Sequence, residues 1–238
     1  MYVGNCNQFA NTLIDTINNK QASNYLVSAT SVHGIVYANK NLVFKNTLNN
    51  FYCNLPDGMP LTWIGHVKGR KLMTRCTGLD TFQTVMSNSA KHEINHFFCG
   101  GKEGIAIELQ KASALKLGNS NVVGTFSPPF REMTQEEFKN LGTLINSSGA
   151  NLVWIGLSTP KQEIFAKELS KYINVNYIIT VGAVFDFFTN NLQRAPQWIQ
   201  KIGLEWLYRL CKEPKRLFKR YAEIVPMFIW LNLKSIFK

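Results

Sequence analysis

Residues 151–163 read NLVWIGLSTPKQE. A short apolar run, closed by Gly156, gives way to a polar stretch whose Pro160 suits the first turn of a helix. The run is too brief for an amphipathic helix and apolar on successive residues, which is how a strand buried on both faces reads. The same grammar recurs along the chain in NYLVS at 24–28, FYCNL at 51–55, HFFCG at 96–100, NVVGTF at 121–126 and YIITVG at 177–182. Segments with helical start signals lie between these runs. Thr134 to Glu137 has the spacing of a capping box opening a helix toward Ile145. Alternation of this kind predicts an α/β fold, a mostly parallel sheet with helices on both faces.

In such sheets ligands bind at the carboxyl ends of the strands, so the loops that follow them are the places to search. These are SATSVHG at 28–34, PDGMP at 56–60, GGKEG at 100–104, GTFSPPF at 124–130, GLSTPKQE at 156–163 and GAVFDFF at 182–188. Each can turn backbone N–H groups toward an anion. Gly100 and Gly101 lack the spacing of a dinucleotide or Walker loop, and a plain tight turn explains them equally well.

The chain has 238 residues, 45% of them hydrophobic, enough for one large core and against disorder. Its formal charge of +11 points to an anionic partner: nucleic acid, nucleotide phosphates or an acidic membrane surface. From Gln193 onward ten Lys or Arg stand against three Glu, a net +7. Five scattered cysteines without a C-x-x-C pair fit reduced thiols in a cytoplasm. The N-terminus lacks the pattern of a signal peptide. IVPMFIWLNL at 224–233 is about half the roughly 20 residues a transmembrane helix needs, so it is expected to lie on a bilayer rather than cross one.

There are four aspartates, Asp15, Asp57, Asp80 and Asp186. Asp57 follows FYCNL and precedes Gly58, which sets its carboxylate at a strand end; the alternative is a turn-forming Asp-Gly. Asp186, between two phenylalanines, needs a partner if buried, and Arg194 or a backbone N–H is expected to supply it. Gln162 opens a helix and can both donate and accept, which suits a sugar or a uracil edge; the alternative is a solvated helix start. There is no D-x-D, no H-E-x-x-H and no ligand spacing among His33, His66, His92 and His96, so neither a metal nor a cofactor is expected. No G-x-S-x-G elbow is present, which argues against serine hydrolysis.

Longer stretches carry a resemblance. VHG at 32–34, PDGMPLTW at 56–63, GLD at 78–80, FFCGGKEG at 97–104, SPPF at 127–130, INSSGANLVWIGLSTPKQE at 145–163, VGAVFDFFTN at 181–190 and RAPQWIQKIGLEWLYRLCKEPKRLFKRY at 194–221 occur in this order. The chain resembles the WecG/TagA/CpsF family of bacterial glycosyltransferases, and more closely its exopolysaccharide branch. The resemblance implies a Rossmann-like core at 1–192 and a helical, basic, membrane-associating appendage at 193–238. It also implies metal-independent, inverting transfer from a UDP-sugar to a sugar on undecaprenyl diphosphate, in the cytoplasm on the inner face of the membrane.

Carried over position by position, the resemblance implies that Asp57 is the general base and Gln162 an active-site amide. Arg209 and Arg216 take the basic positions facing the diphosphates. Thr30, His33, Gly100, Gly101, Lys161, Arg194, Lys219 and Arg220 are the further substrate-binding candidates. Thr30 is displaced by one position from the family's T-x-N-V-H arrangement, and Lys219 stands where relatives often have Arg, which keeps charge but loses bidentate geometry.

In the last fifth of the chain, Trp198, Ile202, Trp206 and Leu210 are spaced as one helical stripe, and Glu213-Pro214 starts a second helix with Arg216 and Arg220 on one face. Lys234 and Lys238 flank an apolar end suited to an anionic membrane surface. The alternatives are an ordinary helical pair closing the core or a homo-oligomer interface. A second reading is a nucleotide- or nucleic-acid-binding module; it needs charge spread over sheet or loops with exposed aromatics, whereas the charge here sits in one terminal block. A peripheral membrane scaffold without catalysis is a third.

Overall fold

The computed structural model describes residues 1–19 and 24–236. The chain opens with α1 (Cys6–Asn18), β1 (Tyr25–Ser31), α2 (Val32–Lys40), α3 (Leu42–Asn49) and β2 (Cys53–Asp57). It continues with α4 (Met59–Val67), α5 (Gly78–Ser89), β3 (His96–Gly100), α6 (Ile105–Leu117) and β4 (Val122–Phe126). There follow α7 (Gln135–Ser147), β5 (Leu152–Gly156), α8 (Lys161–Leu169), β6 (Tyr177–Thr180) and the short α9 (Val184–Phe188). The chain then runs through α10 (Gln197–Lys201), α11 (Glu205–Lys212) and α12 (Pro214–Ile236).

All six expected strands form, and they make one parallel sheet in the order β2-β1-β6-β5-β3-β4. Strand β5 shows why its sequence has no polar alternation. Leu152 and Trp154 enter the core beneath α1, α5 and α6, whereas Val153 and Ile155 enter the one beneath α7 and α8. Both faces are covered, so every position is apolar. Each fully buried side chain contributes roughly 1.5–3 kcal/mol through burial. Helix α7 begins at the expected capping box, with Thr134 accepting from the Glu137 N–H and the Glu137 side chain accepting from the Thr134 N–H.

The buried His96 is a structural residue. Trp154 Nε1 donates to His96 Nδ1 at 3.1 Å, which leaves Nε2 to carry the proton toward Ser89 Oγ at 2.9 Å. Burial pushes its pKa down to about 3.

The stripe expected over 198–210 does not form as one helix. The chain breaks between α10 and α11 at Gly203, whose φ of +75° favours glycine and whose added Cβ would stand 2.6 Å from the Trp63 ring. Pro214 does start a new helix, and that helix runs on through Pro226. Its buried face, Ile224 and Phe228, packs with Val36 of α2 and Leu61 of α4. No described helix is long and apolar enough to cross a membrane. Lys238 lies outside the described residues.

Candidate active site

A cleft of about 640 Å³ opens over the carboxyl ends of β1, β2, β5 and β6, with α11 and α12 forming its far wall. This is where a parallel sheet is expected to hold a ligand. Asp57, the last residue of β2, lines it. Gly58 follows at a φ of +122° and starts α4, so the chain turns sharply away and leaves the carboxylate at the strand end. Asp57 makes no side-chain hydrogen bond or ion pair among the described residues. Burial first, then the charges of Glu205 and Asp80, push its pKa up to about 7, against the opposing pull of Arg194 and Arg209.

Five arginines line the cleft: Arg75, Arg194, Arg209, Arg216 and Arg220. Three are already paired. Arg194 Nη1 reaches Asp80 Oδ1 at 2.9 Å and its Nε reaches Glu205 Oε1 at 3.4 Å. Arg75 lies 3.3 Å from Asp80 and 3.8 Å from Glu205, and Arg216 lies 2.6 Å from Glu213. Arg209 and Arg220 have no carboxylate partner among the described residues; Arg209 sits over the Phe187 ring with its guanidinium carbon 5.5 Å from the centroid. Two cations are therefore free to meet an anion.

Arg194 does not pair with Asp186 as the sequence suggested. The cations acting on Asp186 are Lys102 and Arg216, and burial raises its pKa against them. Sequence reasoning gave Asp80 no role, yet it is the acid that fixes both Arg75 and Arg194. Burial would raise its pKa, but the hydrogen bond and charge of Arg194, with Thr77 and Arg75, hold it below the usual range.

Gln162, Thr159 and Ser158 line the wall at the end of β5. Pro160 stands at the N-cap, one position before α8 rather than inside it, and Gln162 falls in the first turn. The Gly182 N–H donates to Gln162 Oε1 at 2.9 Å, which ties this wall to the end of β6. His33 also lines the cleft; burial and then Arg220 lower its pKa.

The sequence profile described as glycosyl transferase WecG/TagA/CpsF family matches residues 2–238. The chain belongs to that family. Membership supports a glycosyltransferase role, and it covers the C-terminal helices as well as the sheet.

Within this WecG/TagA/CpsF glycosyltransferase, the remaining candidates lie elsewhere. Thr30 is buried beneath the cleft, hydrogen-bonded to Ser28 Oγ at 3.0 Å and Asn54 Oδ1 at 3.2 Å. Gly100 packs against Gly156, where an added Cβ would stand 2.5 Å from the carbonyl oxygen, and neither it nor Gly101 reaches the cleft wall. Close strand packing explains Gly100 without an anion. Lys161 points away, over the Phe130 ring at 5.6 Å, and Lys219 is exposed outside the lining. Arg75, Thr77 and Thr159 are lining residues that sequence reasoning missed. The one signal for the first two was their position just before the GLD at 78–80. No group of three or more His, Cys, Asp or Glu able to hold a metal occurs among the described residues.

Proposed function

We propose that the chain transfers a sugar, with inversion and without a metal, from a UDP-sugar to a sugar carried on undecaprenyl diphosphate during exopolysaccharide synthesis. The observation that carries the reading is the pairing in one cleft of a lone carboxylate tuned to about 7 with two unpaired arginines. Asp57 takes the proton from the acceptor hydroxyl as that oxygen bonds to the anomeric carbon. The bond from that carbon to the nucleoside diphosphate breaks on the opposite side, and Arg209 and Arg220, with Arg216, stabilise the charge of the departing diphosphate.

The amphiphilic wall supports a lipid-borne acceptor. Beyond its arginines α12 lines the same cleft with Ile224, Val225, Phe228 and Ile229, an apolar track leading away from Asp57. Turned away from that track, α12 leaves Phe218 and Trp230 more than half exposed beside Lys215, Lys219 and Lys234. Aromatic and basic residues mixed in this way suit the interface of an anionic membrane. On this reading residues 1–192 form the core and 193–238 the membrane-associating appendage, working on the cytoplasmic face.

The test is transfer to a short-chain lipid-diphosphate-sugar acceptor from a panel of UDP-sugars in EDTA. Turnover with one donor supports the reading. Failure with every donor, together with salt-sensitive binding to nucleic acid, replaces it with the nucleic-acid-binding alternative.

A further inference from the structure

Behind the cleft wall lies Glu163, 1% exposed. Its Oε1 accepts from three donors: Ser28 Oγ at 3.2 Å, Thr159 Oγ1 at 3.0 Å and Gln162 Nε2 at 2.9 Å. Gln162 Nε2 also donates to Thr159 Oγ1 at 3.1 Å, and Gln162 Oε1 accepts from the Gly182 N–H at 2.9 Å.

A primary amide has two N–H hydrogens, and a hydroxyl has one hydrogen. Both hydrogens of Gln162 and the single hydrogen of Thr159 are used within the protein, leaving only oxygen lone pairs on each. The amide cannot be turned over, because its N–H groups would then face the Gly182 N–H and its oxygen the Glu163 carboxyl. That pattern assigns the orientation by chemistry.

We infer that Glu163 is a positioning residue that fixes Gln162 and Thr159 as hydrogen-bond acceptors only, so that the substrate group seated against them is a donor, a sugar hydroxyl or an amide N–H. The identity of the substrate rests on the transferase reading; the lock rests on geometry alone. Glu163 Oε2 has no hydrogen-bond partner among the described residues. Burial raises the pKa of its carboxyl, and a proton on Oε2 leaves Oε1 an acceptor, so the lock holds in either charge state.

The consequence is orientation. Phosphate oxygens bring only lone pairs and are disfavoured at an acceptor-only wall, while Arg209 and Arg220 attract them. A molecule with hydroxyls at one end and phosphates at the other is sorted end for end by the two walls.

Two measurements test this. The first uses the UDP-sugar that turns over, with each sugar hydroxyl replaced singly by hydrogen or by fluorine, and the same nucleotide methylated at uracil N3. Fluorine can accept weakly but cannot donate. At one position the fluoro or methylated analogue should lose about ten- to a hundred-fold in kcat/KM, as much as the deoxy compound where there is one, and Gln162→Ala should erase that difference. Retention of the parent rate by the fluoro analogue at every position where the deoxy compound fails, or no sensitive position at all, overturns the assignment.

The second measurement needs no substrate. In a nuclear magnetic resonance spectrum, the Gln162 side-chain amide protons should exchange slowly in the wild type and in Glu163→Gln, which keeps an acceptor, and rapidly in Glu163→Leu. Equal protection in wild type and Glu163→Leu, or fast exchange in the wild type, overturns the lock. Absence of turnover with every donor would sink the transferase reading alone, and the exchange data would still decide the lock.

Discussion

Arg194 Nη1 lies 2.9 Å from Asp80 Oδ1 while its Nε lies 3.4 Å from Glu205 Oε1, so one guanidinium joins the start of α5 to the start of α11. Arg75 reaches the same two carboxylates from the other side. The side chains are 20% to 28% exposed, so solvent screens the pairs and each carries little by itself. Their joint effect is positional. Asp80→Ala is expected to destabilise the fold by about 1–2 kcal/mol and to raise amide exchange across 193–212 while the strands keep their protection. The Asp80 pKa is held below its unfolded value, so its contribution is complete above about pH 4 and is lost only as the pH falls further.

Asp57 carries the opposite sign. Its folded pKa of about 7 stands above the ordinary 3.8, so the folded chain holds the proton more tightly than the unfolded one. Stability therefore falls as pH rises through that window and is flat beyond it, a loss on the order of 4 kcal/mol. Asp57→Asn should raise the Tm at pH 8, with the two proteins converging near pH 4. Transfer by the same variant should drop by about 10²–10⁴-fold, and wild-type kcat/KM should climb with pH to a plateau above about 7.

His96 sets a second pH dependence inside the core. Its folded pKa of about 3 lies below the usual 6.5, so the folded chain refuses a proton that the unfolded chain accepts. Its contribution is full above pH 6.5 and is lost as pH falls toward 3. In His96→Gln the melting temperature should decline less between pH 6.5 and pH 4 than in the wild type, from a lower starting value.

Removing the unpaired cations should strike the transition state. Arg209→Ala and Arg220→Ala are each expected to lower kcat by roughly 10–10³-fold with little change in Tm, because neither holds a carboxylate of the fold. Arg209→Lys should recover only part of the loss, since it keeps the charge without the planar fork or the stacking on Phe187. Steady-state kinetics beside thermal melts separates these outcomes.

The exposed face of α12 predicts sedimentation with vesicles rich in phosphatidylglycerol. Phe218→Glu combined with Trp230→Glu should abolish it without disturbing Phe228, which is buried against α2 and α4. If the wild type ignores such vesicles and self-associates instead, the face belongs to a second copy of the chain.

The sheet was legible because β3, β5 and β6 run almost wholly apolar on both faces and turn residues mark their ends. Asp57 was legible for a related reason: a carboxylate next to glycine at the end of an apolar run has few places to be. Gly100 and Gly101 were misleading because close backbone packing and anion binding ask for the same residue. Glycine at 203 interrupted a stripe whose spacing is otherwise helical, since the demand came from the Trp63 ring 140 residues away. Arg75, Asp80 and Glu205 could not be joined by inspection, because their meeting depends on how α5 and α11 are carried to the carboxyl ends of the strands.

The cleft joins walls made at different times. All six strands precede residue 181 in the chain, and the arginines at 209, 216 and 220 follow them. A nascent chain that has completed its sheet holds Asp57 and Arg75 but not yet Arg194, Arg209, Arg216 or Arg220, so the wall facing the strand ends is the last part of the cleft to be made. If Arg209, Arg216 and Arg220 hold the diphosphate as proposed, a chain cut short after β6 keeps Asp57 at its strand end and loses donor binding.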